Sequence, residues 1–141
     1  MSIEAICKTT ISDKDALVEA LSEIYGKNVI TVKEQGVKVS GYRSSKTPSI
    51  IIGLPKMYGT AGYCLGPEGN YELVYDSTDK RQLSDVIPQR NKKTGVVTDR
   101  LTKTYAKIKT IKMIKQLNGY VTETEEDSNG TIRIKARVHN Y

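Results

Sequence analysis

Apolar positions recur at helical spacing over residues 96–117. Val97, Leu101, Tyr105, Ile108 and Ile111 stand four, four, three and three places apart, which winds them into one stripe at 3.6 residues per turn. The spacing predicts one long amphipathic helix, Val96–Leu117, whose apolar face must cover a sheet. Arg100, Lys103 and Lys107 make a second, basic stripe beside it. Lys109, Lys112 and Lys115 carry the positive charge toward the C-terminal end, where the helix dipole favours it. Gly119 supplies the expected left-handed stop.

The remaining periods divide the chain into short elements. Ile3–Ile11 mixes β-branched and apolar residues as a first strand does. Ser12 followed by Asp13, Lys14 and Asp15 reads as a helix start with Ser12 at the cap, and Ala16, Leu17, Ala20, Leu21 and Ile24 give an apolar face that ends at Gly26. The expected helix is Asp13–Tyr25. From Asn28 the period becomes two: Val29–Glu34 and Val37–Tyr42 form a hairpin around Gln35-Gly36. Ser49–Ile52 is a continuous apolar run, the pattern of a strand in the middle of a sheet. Glycine turns break up residues 57–70, and Tyr71, Leu73 and Tyr75 then alternate with Glu72, Val74 and Asp76 as a half-buried strand.

Residues 77–95 have little period, and a loop of that length in a small domain tends to be functional. Leu83, Val86 and Ile87 are placed to pin it through one helical turn. Two closing strands, Tyr120–Glu126 and Thr131–Val138, flank Asn129-Gly130. A two-residue loop would set Glu123 and Glu125 against apolar residues. A three-residue loop, Ser128–Gly130 with Gly130 left-handed, instead sets Glu125 against Arg133, Glu123 against Lys135 and Thr124 against Ile134. The three-residue loop is therefore expected. The element order specifies one domain, 1–141: an α+β two-layer sandwich, mostly antiparallel sheet with two helices on one face.

Composition adds charge to this picture. The 141 residues carry a net +6, unevenly: residues 80–115 hold 11 basic and 2 acidic groups, while residues 1–79 and 116–141 are each slightly acidic. All nine aromatic residues are tyrosines, a type suited to half-exposed sheet faces and interfaces. No apolar run approaches a membrane span, and the first residues lack the pattern of a secretory signal, so a cytoplasmic setting is expected. Cys7 and Cys64 are read as packing thiols in a reducing compartment.

Candidate chemistry is sparse. The one histidine, His139, lies near the end of the chain, no cysteine pair has metal-ligand spacing, and no nucleophile has a base beside it in the sequence. No catalytic residue, metal site or cofactor is assigned. Residues 57–70 offer a remote small-ligand reading, but they lack the P-loop pattern.

Short pieces spread along the chain carry a likeness: Asp13-Lys14-Asp15-Ala16-Leu17, Gly41-Tyr42-Arg43, Tyr71-Glu72-Leu73-Val74-Tyr75-Asp76, Tyr105-Ala106, Gly119-Tyr120 and Asn129-Gly130-Thr131-Ile132-Arg133. In these the chain resembles the hypothetical chloroplast reading frame thirty-five family, small proteins of cyanobacteria, algal plastids and phages. The resemblance implies a single domain of this size and a setting in the cytoplasm of a bacterial or phage-infected cell or in a plastid stroma, and it brings no enzymatic activity with it.

Two binding readings follow. The leading one is a non-enzymatic accessory protein acting through protein contacts or self-association, with Tyr71, Tyr75, Arg133, Lys135 and Arg137 as the interface. The alternative is a polyanion or nucleic-acid site on Arg90, Lys92, Lys93, Arg100, Lys103 and Lys107. The first is preferred because the acidic strand after the long helix can neutralise the basic segment.

Overall fold

The computed structural model describes residues 4–34, 47–128 and 130–138. Five strands, β1 (Glu4–Lys8), β2 (Ile30–Val32), β3 (Ile50–Ile52), β4 (Ala61–Leu65) and β5 (Tyr71–Asp76), make one antiparallel sheet in the order β1-β5-β4-β3-β2. Its register puts Ala5 opposite Tyr75, Cys7 and Tyr63 on either side of Leu73, and Ile50 opposite Tyr63. Because side chains alternate across a strand, these residues share one face. Helix α1 (Lys14–Tyr25) covers that face with Ala16, Leu17, Ala20 and Leu21, all fully buried.

The second helix, α2 (Arg100–Gln116), lies against α1 and sends Leu101 and Ile108 into the same core. The molecule is thus α+β, with both helices feeding one core. Two ribbons stand beside it: β6 (Gln89–Arg90) with β7 (Val97–Thr98), and β8 (Gly119–Glu126) with β9 (Ile132–Val138). The second ribbon packs on α2 and is separate from the five-stranded sheet.

The closing hairpin has the expected register: Glu123 faces Lys135, Thr124 faces Ile134 and Glu125 faces Arg133. Gly130 takes φ 79°, and its N–H donates to the Asp127 carbonyl at 3.0 Å. Leu83, Val86 and Ile87 are buried and pin the segment before β6 through the turn in which Ile87 N–H donates to the Leu83 carbonyl. The two thiols fall on opposite faces of the sheet, since Cys7 faces Leu73 and Cys64 faces Glu72; they form no disulfide with each other.

Four expectations need correction. Helix α2 begins at Arg100, not Val96: Asp99 is extended and accepts from Thr102 N–H at 2.6 Å, while the β-branched run Val96-Val97-Thr98 favours strand geometry. Val97 is therefore a ribbon residue, 52% exposed, and not part of the helix stripe. The cap of α1 is Asp13, whose carboxylate accepts from Ala16 N–H, and not Ser12. The left-handed residue after α2 is Asn118, with φ 58°; Gly119 opens β8, where a Cβ would lie 2.8 Å from the Arg137 carbonyl oxygen. Finally, β3 is one place in from the edge, and β4 occupies the middle. Gly62 of β4 admits Pro48, whose Cβ would lie 2.5 Å from a Cβ added there. The expected strand Val37–Tyr42, its Gln35-Gly36 turn, the Gly41–Arg43 triplet and His139 lie outside the described residues.

Helix α2 is fastened to the start of α1. Tyr105 Oη accepts from Asp13 N–H at 3.1 Å, and Lys109 Nζ donates to Asp13 Oδ2 at 3.0 Å. The Ala16 amide, and then Lys109, hold the Asp13 carboxyl below its ordinary value. A depressed carboxylate adds stability that is complete above its unfolded value, about 4, and is lost as pH falls through the folded value. Wild-type stability should accordingly fall below about pH 4 by more than that of Asp13→Asn, a variant that keeps a good cap without the charge. Paired urea titrations at pH 3 and pH 6 would measure the difference.

Candidate functional site

A groove of about 570 Å³ lies where the β6–β7 ribbon, the first turns of α2 and the turn end of the β8–β9 hairpin meet. Arg90 enters from the ribbon, and Arg100, Lys103 and Lys107 rise from one side of the helix. Residues 100, 103 and 107 share a helix face because three- and four-residue steps return to the same azimuth. The ribbon brings in Arg90 because Asn91 closes its turn: Asn91 Oδ1 accepts from Lys93 N–H at 2.8 Å, and Gly95 takes φ 73°.

Three carboxylates also line this groove. Asp99 is occupied with the helix cap, its Oδ1 accepting from Thr102 N–H and its Oδ2 from Thr102 Oγ1. Glu23 lies 4.0 Å from Lys107, and Glu126 comes from the end of β8. Among the described residues, Arg90, Arg100 and Lys103 make no ion pair, so the basic character is only partly cancelled.

The groove continues into a second, more apolar portion of about 390 Å³. Val96 beside the β6–β7 ribbon, Ala106 and Thr110 of α2, and Ile132 and Ile134 of β9 line it together. Lys103 and Lys107 border both portions. Val96 is 56% exposed, an apolar side chain held beside this trough by the ribbon.

The core holds two tyrosine hydroxyls, Tyr25 Oη and Tyr63 Oη, that are buried without a hydrogen-bond partner among the described residues. Burial, with Asp85 adding to it, pushes Tyr25 up to about 12 despite the opposing charge of Arg100, and burial holds Tyr63 well above the ordinary tyrosine range. A buried hydroxyl without a partner contributes only a desolvation penalty. Tyr63→Phe should therefore leave stability unchanged or raise it by up to about 1 kcal/mol, read as a shifted urea midpoint at constant slope.

Of the six residues expected to meet a polyanion, Arg90, Arg100, Lys103 and Lys107 converge on the groove. Lys92 and Lys93 sit outside it, exposed on the turn of the β6–β7 ribbon. Of the five expected at an interface, Arg133, Lys135 and Arg137 lie exposed on the outward face of the hairpin, with Lys135 3.2 Å from Glu123. Tyr71 and Tyr75 are a correction: both are buried, because β5 is an inner strand and its tyrosine face meets the core. They offer no surface to a partner. Sequence reading missed Val96, Ile132 and Ile134 as groove residues. Their signal, an apolar residue at the end of a basic turn and two more on a hairpin, has no single period.

In the glycine-rich passage, Tyr58 and Gly59 donate their amides to the buried carboxylate of Asp79 at 2.6 and 2.8 Å, and Gly66 donates to the Asn70 carbonyl. Those amides are spent inside the fold. Among the described residues no cluster of three or more His, Cys, Asp or Glu is arranged to hold a metal ion, and no helix is long and apolar enough to cross a membrane. No protein-family model, curated protein or solved structure matches the chain.

Proposed function

We propose that this protein is a non-enzymatic interaction module that recognises another protein through the groove between the β6–β7 ribbon, α2 and the β8–β9 hairpin. The observation that carries the reading is the composition of that groove, in which a basic portion runs directly into an apolar one. A phosphate chain gains from the first portion alone, whereas a polypeptide surface gains from both, through burial of apolar area in the second. The outward hairpin face, where Glu123 and Glu125 sit opposite Lys135 and Arg133, is charge-paired within itself and makes the weaker candidate.

Affinity capture from an extract of the native host tests this reading, using tagged chain and nuclease treatment. A polypeptide retained by the wild type and by the control Lys80→Glu/Arg81→Glu, but lost from Arg100→Glu/Lys103→Glu, is the expected result. The control makes the same charge change on an exposed turn outside the groove. Equal retention by all three proteins, or a bound nucleic acid in place of a polypeptide when nuclease is omitted, would overturn it.

A further inference from the structure

The same groove indicates what kind of polypeptide it receives, and this step rests on the interaction reading above. We infer that the occupant is an acidic segment with interspersed apolar residues, its carboxylates meeting Arg90, Arg100 and Lys103 and its apolar side chains filling the trough lined by Val96, Ile132 and Ile134. Both chemistries are built into one continuous surface, and two lysines, Lys103 and Lys107, border both portions.

Charge sets the sign of the ligand. Asp99 has both oxygens turned to Thr102, and Lys107 has Glu23 within 4.0 Å. Two guanidinium groups and one ammonium are left to face the groove against one further carboxylate, Glu126, so positive charge remains in excess, and an arginine fork is suited to two-point contact with a carboxylate. A basic or neutral segment would leave these three cations with Glu126 alone as counter-charge on closure, which costs more than their exposure to water does.

Spacing points to alternation in the ligand. Glu23 reaches Lys107 only at 4.0 Å and from an exposed position, so an incoming carboxylate can take its place; Lys103 and Lys107 are one helical turn apart, about 6 Å along the axis. In an extended segment, side chains on one face recur every two residues, about 6.6 Å. Acidic residues at alternate positions can therefore follow the helix stripe while the residues between them turn toward the apolar lining. The apolar lining has matching order, because Ile132 and Ile134 are themselves two residues apart on one face of β9.

Fluorescence polarisation with the full chain and three labelled probes of equal net charge tests the inference. The first probe alternates Asp or Glu with Leu or Val; the second replaces the apolar residues with Ser; the third is a thymidine oligonucleotide. The first should bind roughly tenfold or more tighter than either of the others. Arg100→Glu/Lys103→Glu should weaken it at least about tenfold, and Val96→Ser should bring it toward the second probe without weakening the second. Val96 is mostly exposed, so that variant keeps its core, and Ile134→Ser provides a second one on β9. Equal binding of the first two probes, tighter binding of the oligonucleotide, or a dimer in sedimentation that the charge reversal dissociates and no probe displaces would each overturn the inference. If groove-dependent capture of a host protein persists while the probe preference fails, only the ligand assignment falls; if capture itself is independent of the groove, the interaction reading falls with it.

Discussion

Asp79→Ala should lower the unfolding free energy by about 3 kcal/mol, and Asp79→Asn by roughly half as much. Asp79 closes the short 3-10 turn Ser77–Asp79, is 1% exposed, and accepts from two backbone amides, Tyr58 at 2.6 Å and Gly59 at 2.8 Å. Each bond to a charged acceptor contributes about 1.5–3 kcal/mol, and alanine would leave both donors without their acceptor. Asparagine keeps one oxygen but turns an NH2 group toward the other amide. Against a total stability on the order of 5–15 kcal/mol the alanine change is large. Urea unfolding should give a lowered midpoint at an unchanged slope. An alanine variant within about 0.5 kcal/mol of wild type would mean that these amides find other acceptors.

Leu101→Ala should cost about 3 kcal/mol and also weaken any ligand of the groove, because Leu101 holds down the helix turn that presents Arg100 and Lys103. The side chain is 1% exposed within the common core, and the Leu101 amide donates to the Asp85 carbonyl at 3.1 Å. Truncation removes transfer free energy and opens a cavity that close neighbours fill only in part. The backbone bond survives the change, so the helix start should persist while its packing loosens. Leu101→Met, which conserves volume, should cost less than about 1.5 kcal/mol and leave binding near wild type. Thermal or urea unfolding gives the first quantity, and polarisation with the alternating acidic probe gives the second.

What the sequence disclosed, and what it hid, divides along physical lines. The hairpin register was legible because opposite charges across two strands discriminate sharply between a two- and a three-residue loop: Glu123 against Lys135 and Glu125 against Arg133 occur in only one of them. Helix α1 was legible because its apolar face repeats over three turns. The start of α2 was not, since Val97 continues the helical spacing by coincidence, and the local chemistry of Val96-Val97-Thr98 and the Asp99 cap outweighs that spacing. Ribbons of two residues per strand are too short to have a period at all, so the sequence presents β6 as loop and β7 as the first residues of the long helix.

The site was half legible for a related reason. Arg100, Lys103 and Lys107 share a helix face that any wheel shows, whereas Arg90, Val96 and Ile132 join them only through tertiary packing. Tyr71 and Tyr75 failed in the opposite direction. Their alternation with Glu72, Val74 and Asp76 describes a half-buried strand, yet the inner position of β5 covers both of them, and Val74 and Asp76 are fully buried too.

The most direct test is hydrogen exchange on the chain bound to the partner that it captures. Binding in the groove predicts slowed exchange in residues 89–98, in the first two turns of α2 and at the start of β9. Protection confined to the opposite end of the hairpin or to the sheet edge at β1, with those groove segments unchanged, would contradict it.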